Sequence, residues 1–215
     1  MSLANQVAVV TGGGRGIGLA CVRTLARDGA AVVVATPEDH ERTAVVAELE
    51  AAGHEVLGIS TDVTSEEDLA TMVQHTLDRF GHIDILVNNA GIIGPTAAVQ
   101  DVQRHEWEAV MDVNVTGVYL ASKAVLPHLL SRRSGRIINI ASAAGQIGFP
   151  LRSPYAASKW AVIGLTKTLA IEVAGDGILV NAVCPGPIDG PRMDAIIEAK
   201  ARTTGQPAEA VREQL

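Results

Sequence analysis

Cysteine and aromatic residues are scarce in this chain: its 215 residues hold two Cys, two Phe, two Trp and two Tyr. Cys21 and Cys184 stand far apart and outside any Cys-x-x-Cys pair. That excludes a disulfide framework and points to buried free thiols. The six histidines (His40, His54, His75, His82, His105 and His128) include no pair at helical ligand spacing, so no metal site is expected. Basic residues are in deficit, with a formal charge of -7, which argues against nucleic acid as a partner. No apolar run reaches bilayer length, and the start Met-Ser-Leu-Ala-Asn lacks the basic and then apolar character of a secretory signal. The expectation is a soluble cytoplasmic protein with no membrane partner. Linkers, repeats and low-complexity tracts are missing too, so one domain over residues 1–215 is expected, large enough to bury a full core.

What is present is an alternation of short Val/Ile-rich runs with longer stretches of helical period. The pattern predicts strands near Val7–Val10, Ala31–Ala35, Glu55–Ile59, Ile85–Val87, Arg136–Ile140 and Ile178–Val183. It predicts helices over Gly16–Asp28, Glu38–Ala52, Ser65–Phe80, His105–Val113 leading into Thr116–Ser131, and Pro154–Ala174. Ser65 with Asp68 three residues on reads as a helix cap. Continuous aliphatic strands imply helices on both sheet faces, because a half-exposed sheet would alternate polar with apolar residues. The fold class is therefore α/β: a three-layer, doubly wound parallel sheet of Rossmann type.

Directly after the first strand comes Thr11-Gly12-Gly13-Gly14-Arg15-Gly16-Ile17-Gly18, then an apolar helix. A glycine-rich turn there lets backbone N–H groups approach a pyrophosphate at the positive end of the helix. Glycines also make ordinary turns; the strand–turn–helix context is what points to a dinucleotide. The loop after the fourth strand, Asn88-Asn89-Ala90-Gly91, lies where strand order reverses in such sheets. Its amides can lock neighbouring loops and leave room for a flat cofactor.

Tyr155 and Lys159 stand one helical turn apart and project from one face. An ammonium beside a phenol stabilises the phenolate and lowers its pKa from about 10, which suits Tyr155 to general acid–base work. Ser142 lies just past the carboxyl end of a strand, the edge where α/β active sites gather, and its hydroxyl could polarise a carbonyl. Asn114 falls where one helical segment passes into another, with an amide that could bind water. Each taken alone has an ordinary structural explanation, as an amphipathic helix, a turn serine or a packing amide.

Taken together and in this order, the motifs resemble the short-chain dehydrogenase/reductase family of the classical kind, especially its 3-oxoacyl reductases and secondary alcohol dehydrogenases. The resemblance runs from Thr11-Gly12-x-x-x-Gly16-x-Gly18 through Asn88-Asn89-Ala90-Gly91, Asn114, Ser142 and Tyr155-x-x-x-Lys159 to Pro185-Gly186. It implies that Tyr155 exchanges a proton with the substrate oxygen while hydride passes to or from a nicotinamide. Lys159 would hold the nicotinamide ribose, Ser142 would orient the carbonyl, and Asn114 would anchor a water of the proton relay. Gly12, Gly14, Arg15, Gly16, Ile17 and Gly18 would face the phosphates. Asp62 and Val63 would meet the adenine; Asn88, Ala90, Gly91, Pro185, Gly186 and Ile188 would complete the cofactor contacts. The resemblance further implies a homo-oligomer, dimer or tetramer, assembled through the helices Thr116–Ser131 and Pro154–Ala174.

Three departures matter. NAD-specific relatives usually end the second strand in an acid, where this chain has Thr36 followed by Pro37; NADP is therefore favoured over NAD, with Arg15 and Arg42 as phosphate partners. After Pro185-Gly186 the family usually places a threonine, where this chain reads Pro187-Ile188-Asp189. The chain also stops at Leu215, before the final strand that family members add, and that predicts an uncovered apolar sheet edge. The substrate pocket should be built by Ile92, Ile93, Gln146, Ile147, Phe149, Leu151, Pro187 and the segment beyond Gly190. Mostly apolar, these suit a hydrophobic or cyclic secondary alcohol or ketone, or a 3-oxoacyl thioester, with no cationic cluster. The competing readings are an idle dinucleotide-binding sensor or scaffold, and an epimerase or dehydratase, whose first loop normally spaces its glycines differently.

Overall fold

The computed structural model describes residues 2–213. Six strands, β1 (Val7–Thr11), β2 (Ala31–Ala35), β3 (Val56–Ile59), β4 (Ile85–Asn88), β5 (Gly135–Ile140) and β6 (Ile178–Val183), form one parallel sheet in the order β3-β2-β1-β4-β5-β6. The order reverses between β1 and β4, which pair as Ala8 with Ile85 through Thr11 with Asn88. That reversal opens a crevice beyond the carboxyl ends of these two strands.

The crossover helices are α1 (Gly16–Arg27), α2 (Asp39–Ala51), α3 (Glu66–Phe80), α4 (Arg104–Met111), α5 (Gly117–Arg132) and α6 (Ser153–Glu172). Successive strand side chains point to opposite faces. On one face Ala8, Val10, Val32 and Val34 pack against Val22 and Ala26 of α1 and Val45 and Leu49 of α2. On the other, Val9, Val33, Leu86 and Ile137 meet Leu69 and Met72 of α3, Ala121, Val125 and Leu129 of α5, and Leu169 of α6. Ser65 caps α3 as expected, its hydroxyl accepting from the Asp68 N–H at 3.1 Å. The strand read from Glu55 starts at Val56, although the Glu55 carbonyl still accepts from the Val32 N–H at 3.0 Å.

Helices thus flank both faces of the sheet. Helices α1 and α2 reach the inner strands, while β5 and β6 leave Arg136, Leu179 and Val183 exposed on that side, Leu179 at 56%. In β6 the side chains of Ile178 and Val180 turn inward. The charged carboxyl-terminal stretch forms two helices, α7 (Pro191–Thr204) and α8 (Ala208–Glu213). The stretch Arg104–Arg132, α4 and α5 joined by a π segment, is long and apolar enough on average to span a bilayer by length and composition, though it holds no uninterrupted apolar run of that length. Its apolar side is taken up by the sheet. Both thiols are free and half-buried rather than buried.

Candidate active site

The crevice begins at the Gly-rich turn. Gly12 has φ +62, a conformation that strains any side-chain-bearing residue. Gly18 sits so close to the turn that a β-carbon there would lie 2.1 Å from the Gly12 carbonyl oxygen and 2.4 Å from Asn89 Nδ2. Arg15 precedes α1 and offers no side-chain cap, and the first turn holds no acid. The leading N–H groups of α1, from Gly16, Ile17 and Gly18, thus carry the positive end of the helix dipole with no carboxylate of their own to offset it. This is what a pyrophosphate requires, so the residues present fit a dinucleotide.

Asn89, not Asn88, locks the two loops. Its Nδ2 donates to the carbonyls of Thr11 at 3.0 Å and Gly12 at 2.9 Å, while Thr11 Oγ1 accepts from the N–H groups of Asn89 and Ala90. Asn88 is turned inside. Its Nδ2 donates to Ser122 Oγ at 3.1 Å and Asn139 Oδ1 at 2.9 Å, and Asn139 passes the chain on to Thr166 of α6. The Asn88 side chain is thus buried, with its Oδ1 unpartnered among the described residues. Val63 is likewise buried, against Gly117, and the Asp62 carboxylate accepts from the N–H and hydroxyl of Thr64.

Lys159 lies buried in α6 with Nζ donating to the Ile140 carbonyl at 2.8 Å and standing 5.7 Å from the centre of the Tyr155 ring. A β-carbon on Gly91 would be 3.7 Å from the same Nζ and 3.1 Å from Asn114 Oδ1. The amine therefore joins the end of β5, the loop after β4 and the first turns of α6. Ser142 caps the short turn Ala143–Gly145, its Oγ accepting from the Ala144 N–H at 3.1 Å. That turn packs directly on the Lys159 backbone, since a β-carbon on Gly145 would lie 2.7 Å from the Lys159 carbonyl oxygen. Pro185 is tied in through its carbonyl, which accepts from the Ala143 N–H at 2.9 Å; Ile188 is half exposed beyond it.

Asn114 falls in a π turn, Asp112–Thr116, between α4 and α5. Its Oδ1 accepts from the Ile92 N–H at 2.8 Å, and its Nδ2 donates to the Ile92 carbonyl at 2.9 Å and to Ser158 Oγ at 3.0 Å. The amide thus clamps the β4 loop to α6. Ser158, one residue before Lys159, is the partner that sequence reasoning missed.

At the far end of the crevice Thr36 is buried behind β2. Its hydroxyl donates to the Glu38 carboxylate, and this bond, working against burial, holds the Glu38 carboxyl below the usual range. Arg15 is exposed and pairs with Glu41 at 3.2 Å. Arg42 points away from solvent and donates to the Thr36 carbonyl at 2.8 Å, so it is a structural tie rather than a ready phosphate ligand. An acid missing at position 36 is thus partly replaced by one two residues on, a signal that reading the strand end alone could not weigh.

A cavity of about 390 Å³ lies between the β4 loop, the start of α6 and α7, lined by Ile93, Gly94, Thr96, Arg152, Ile196 and Thr203 among others. Of the residues expected there, Ile93 and the segment beyond Gly190 border it; Ile92, Gln146, Ile147, Phe149, Leu151 and Pro187 do not. Arg152, unforeseen, places a buried guanidinium in the wall.

A Rossmann-type sheet with a glycine cradle at its switch point, and a Ser, Tyr and Lys gathered at the same edge, defines a nicotinamide-dependent oxidoreductase. Residues 6–201 match the short chain dehydrogenase family model, and the chain belongs to that family, acting on CH–OH groups with NAD(P). A 3-oxoacyl-[acyl-carrier-protein] reductase of Synechocystis sp. is 46% identical over 186 residues, covering 86% of this chain and 75% of the relative. The structure of NAD+-bound xylitol dehydrogenase superposes with a TM-score of 0.95 at 35% identity, over 100% of this chain and 84% of that one. Actinorhodin polyketide ketoreductase with NADPH follows at TM-score 0.91 and 37% identity, over 98% and 81%. None of these supports idle dinucleotide binding.

Proposed function

We propose that this chain, as one domain, interconverts apolar or cyclic secondary alcohols and their ketones, 3-oxoacyl thioesters included, with NADP favoured over NAD. The observation that carries the reading is the buried Lys159 amine, fixed by the Ile140 carbonyl and held near both the Tyr155 ring and Gly91. A nicotinamide, held by Lys159, the Gly91 loop and the Gly12–Gly18 turn, would supply hydride transfer at the carbinol carbon. In reduction Tyr155 gives its hydroxyl proton to the carbonyl oxygen, and in oxidation it takes the alcohol proton. Negative charge then develops on the phenol oxygen, and the ammonium one turn away favours it. Ser142 Oγ accepts from the Ala144 N–H, which leaves its own O–H to donate to the carbonyl. Asn114 positions the Gly91 loop against α6 through its amide, so a relay water at Asn114 would be held by its main chain.

NADP is supported by the exposed Arg15, a cation at this end of the crevice, and by Thr36 in place of a strand-end acid, with the Glu38 carboxylate that Thr36 holds working against a 2'-phosphate. The name of the Synechocystis relative supports a 3-oxoacyl substrate. Tyr119, Trp160 and Ile171 are exposed on α5 and α6, Ile171 at 80%, which supports a dimer or tetramer through these helices. We place the assembly in the cytoplasm. Tyr155→Phe tests the chemistry: turnover should fall about 10²–10⁴-fold with cofactor affinity unchanged. Retained turnover would overturn the assignment.

A further inference from the structure

Position 36 holds no acid, yet the space beside it is not free of one. Glu41, in the first turn of α2, reaches back over the phosphate turn. A β-carbon on Gly14 would lie 2.9 Å from Glu41 Oε2 and 3.5 Å from the Thr36 methyl group, so the carboxylate and Thr36 border the same glycine. From there Glu41 Oε1 accepts from Arg15 Nη1 at 3.2 Å. The Arg15 side chain is 75% exposed and the Glu41 side chain 27%, which leaves the cation open to a ligand and its partner partly walled in.

The other charges at this end of the crevice are already matched. Arg42 is occupied by Asp39 and by the Thr36 carbonyl, and Glu38 accepts from the Thr36 hydroxyl. Arg15 is thus the exposed cation of the group, and Glu41 is the carboxylate that engages it. A 2'-phosphate needs a guanidinium whose fork is free; a ribose 2'-hydroxyl does not. A phosphate that takes Arg15 must displace Glu41 and then stand beside its charge, whereas a hydroxyl meets neither penalty.

We propose that Glu41 is a positioning residue that sets cofactor specificity: by holding Arg15 across the phosphate turn it lowers the affinity for a 2'-phosphorylated dinucleotide and leaves NAD binding untouched. This rests on the NADP reading above and adds a brake to it, since the preference that Arg15 and Thr36 create is limited from α2. The ordinary role of an acid in a first helical turn, offsetting the helix dipole, does not distinguish the two cofactors.

The test reads binding rather than turnover. Adenosine 2',5'-bisphosphate and adenosine 5'-monophosphate, which differ by the 2'-phosphate alone, are titrated calorimetrically into the full chain, followed by NADP+ and NAD+. Glu41→Gln should tighten the bisphosphate and NADP+ by about threefold or more, the scale of a partly exposed ion pair, and leave the monophosphate and NAD+ unchanged. Glu48→Gln is the charge control, because Glu48 pairs with Arg23 between α2 and α1 at 2.7 Å, away from the turn. It should shift none of the four ligands. In an Arg15→Gln background the Glu41→Gln effect should vanish.

Unaltered bisphosphate affinity in Glu41→Gln would overturn the proposal, and so would an equal tightening in Glu48→Gln, the mark of net charge alone. A tightening that persists in full without Arg15 would overturn it too, since Glu41 would then act on the phosphate directly. If neither the unaltered protein nor Glu41→Gln bound the bisphosphate more tightly than the monophosphate, the NADP reading itself would fall. If Arg15→Gln weakened the bisphosphate while Glu41→Gln left it alone, only the Glu41 assignment would drop out.

Discussion

Replacing Gly18 by alanine inserts one methyl group where the phosphate turn and the β4 loop are stitched together. The new β-carbon would stand 2.1 Å from the Gly12 carbonyl oxygen and 2.4 Å from Asn89 Nδ2. Relief requires the turn and α1 to separate by roughly 1 Å, since ordinary contacts begin above about 3 Å. Overpacking of this kind costs about 1–3 kcal/mol. Because a bound pyrophosphate needs the turn in its unshifted place, much of that cost reappears in cofactor affinity, about 5–150-fold at one decade per 1.4 kcal/mol. For a chain of this size the melting temperature should fall by about 2–12 °C. Gly53→Ala is the control, since Gly53 has φ +80 with nothing within 4 Å of its β-carbon position. It should lower the melting temperature and leave cofactor affinity alone. Calorimetric titration of NADPH into the two variants, beside thermal melts, separates the effects. A Gly18→Ala protein with unaltered NADPH affinity would refute the claim that this contact shapes the cofactor site.

Arg15→Gln should lower the ratio of kcat/KM for NADPH over NADH by about tenfold, as expected for loss of a charge-assisted phosphate contact; an unchanged ratio in steady-state assays removes Arg15 from cofactor selection. His128 accepts the Ile83 N–H at 3.1 Å, and burial, with Arg132 and His82 adding, holds its pKa below the ordinary value while Asp84 opposes them. Above about pH 6.5 both folded and unfolded forms are neutral; as pH falls below that, the unfolded chain takes up the proton first. Stability should therefore drop from about pH 6.5 until the folded-state pKa is passed, and His128→Gln should flatten that part of a urea-denaturation profile. Parallel profiles for the two proteins would contradict the sign.

Alternating apolar runs and helical periods, with glycines at the joints, are local properties of the chain. They determine the six strands, the crossover helices and the Gly-rich turn, because a parallel sheet buried by helices needs little beyond them. The Tyr155–Lys159 pair is legible for the same reason: one helical turn fixes their common face. Contacts between loops are different, since nothing in the order of residues says which amide reaches which carbonyl. Tertiary structure alone made Asn89 rather than Asn88 the lock on the phosphate turn, spent the Asn114 amide on Ile92 and Ser158, bent Glu38 back onto Thr36, and brought Arg152 into the wall of the cavity. Each of these depends on distances between segments remote in sequence, which packing sets and periodicity does not encode.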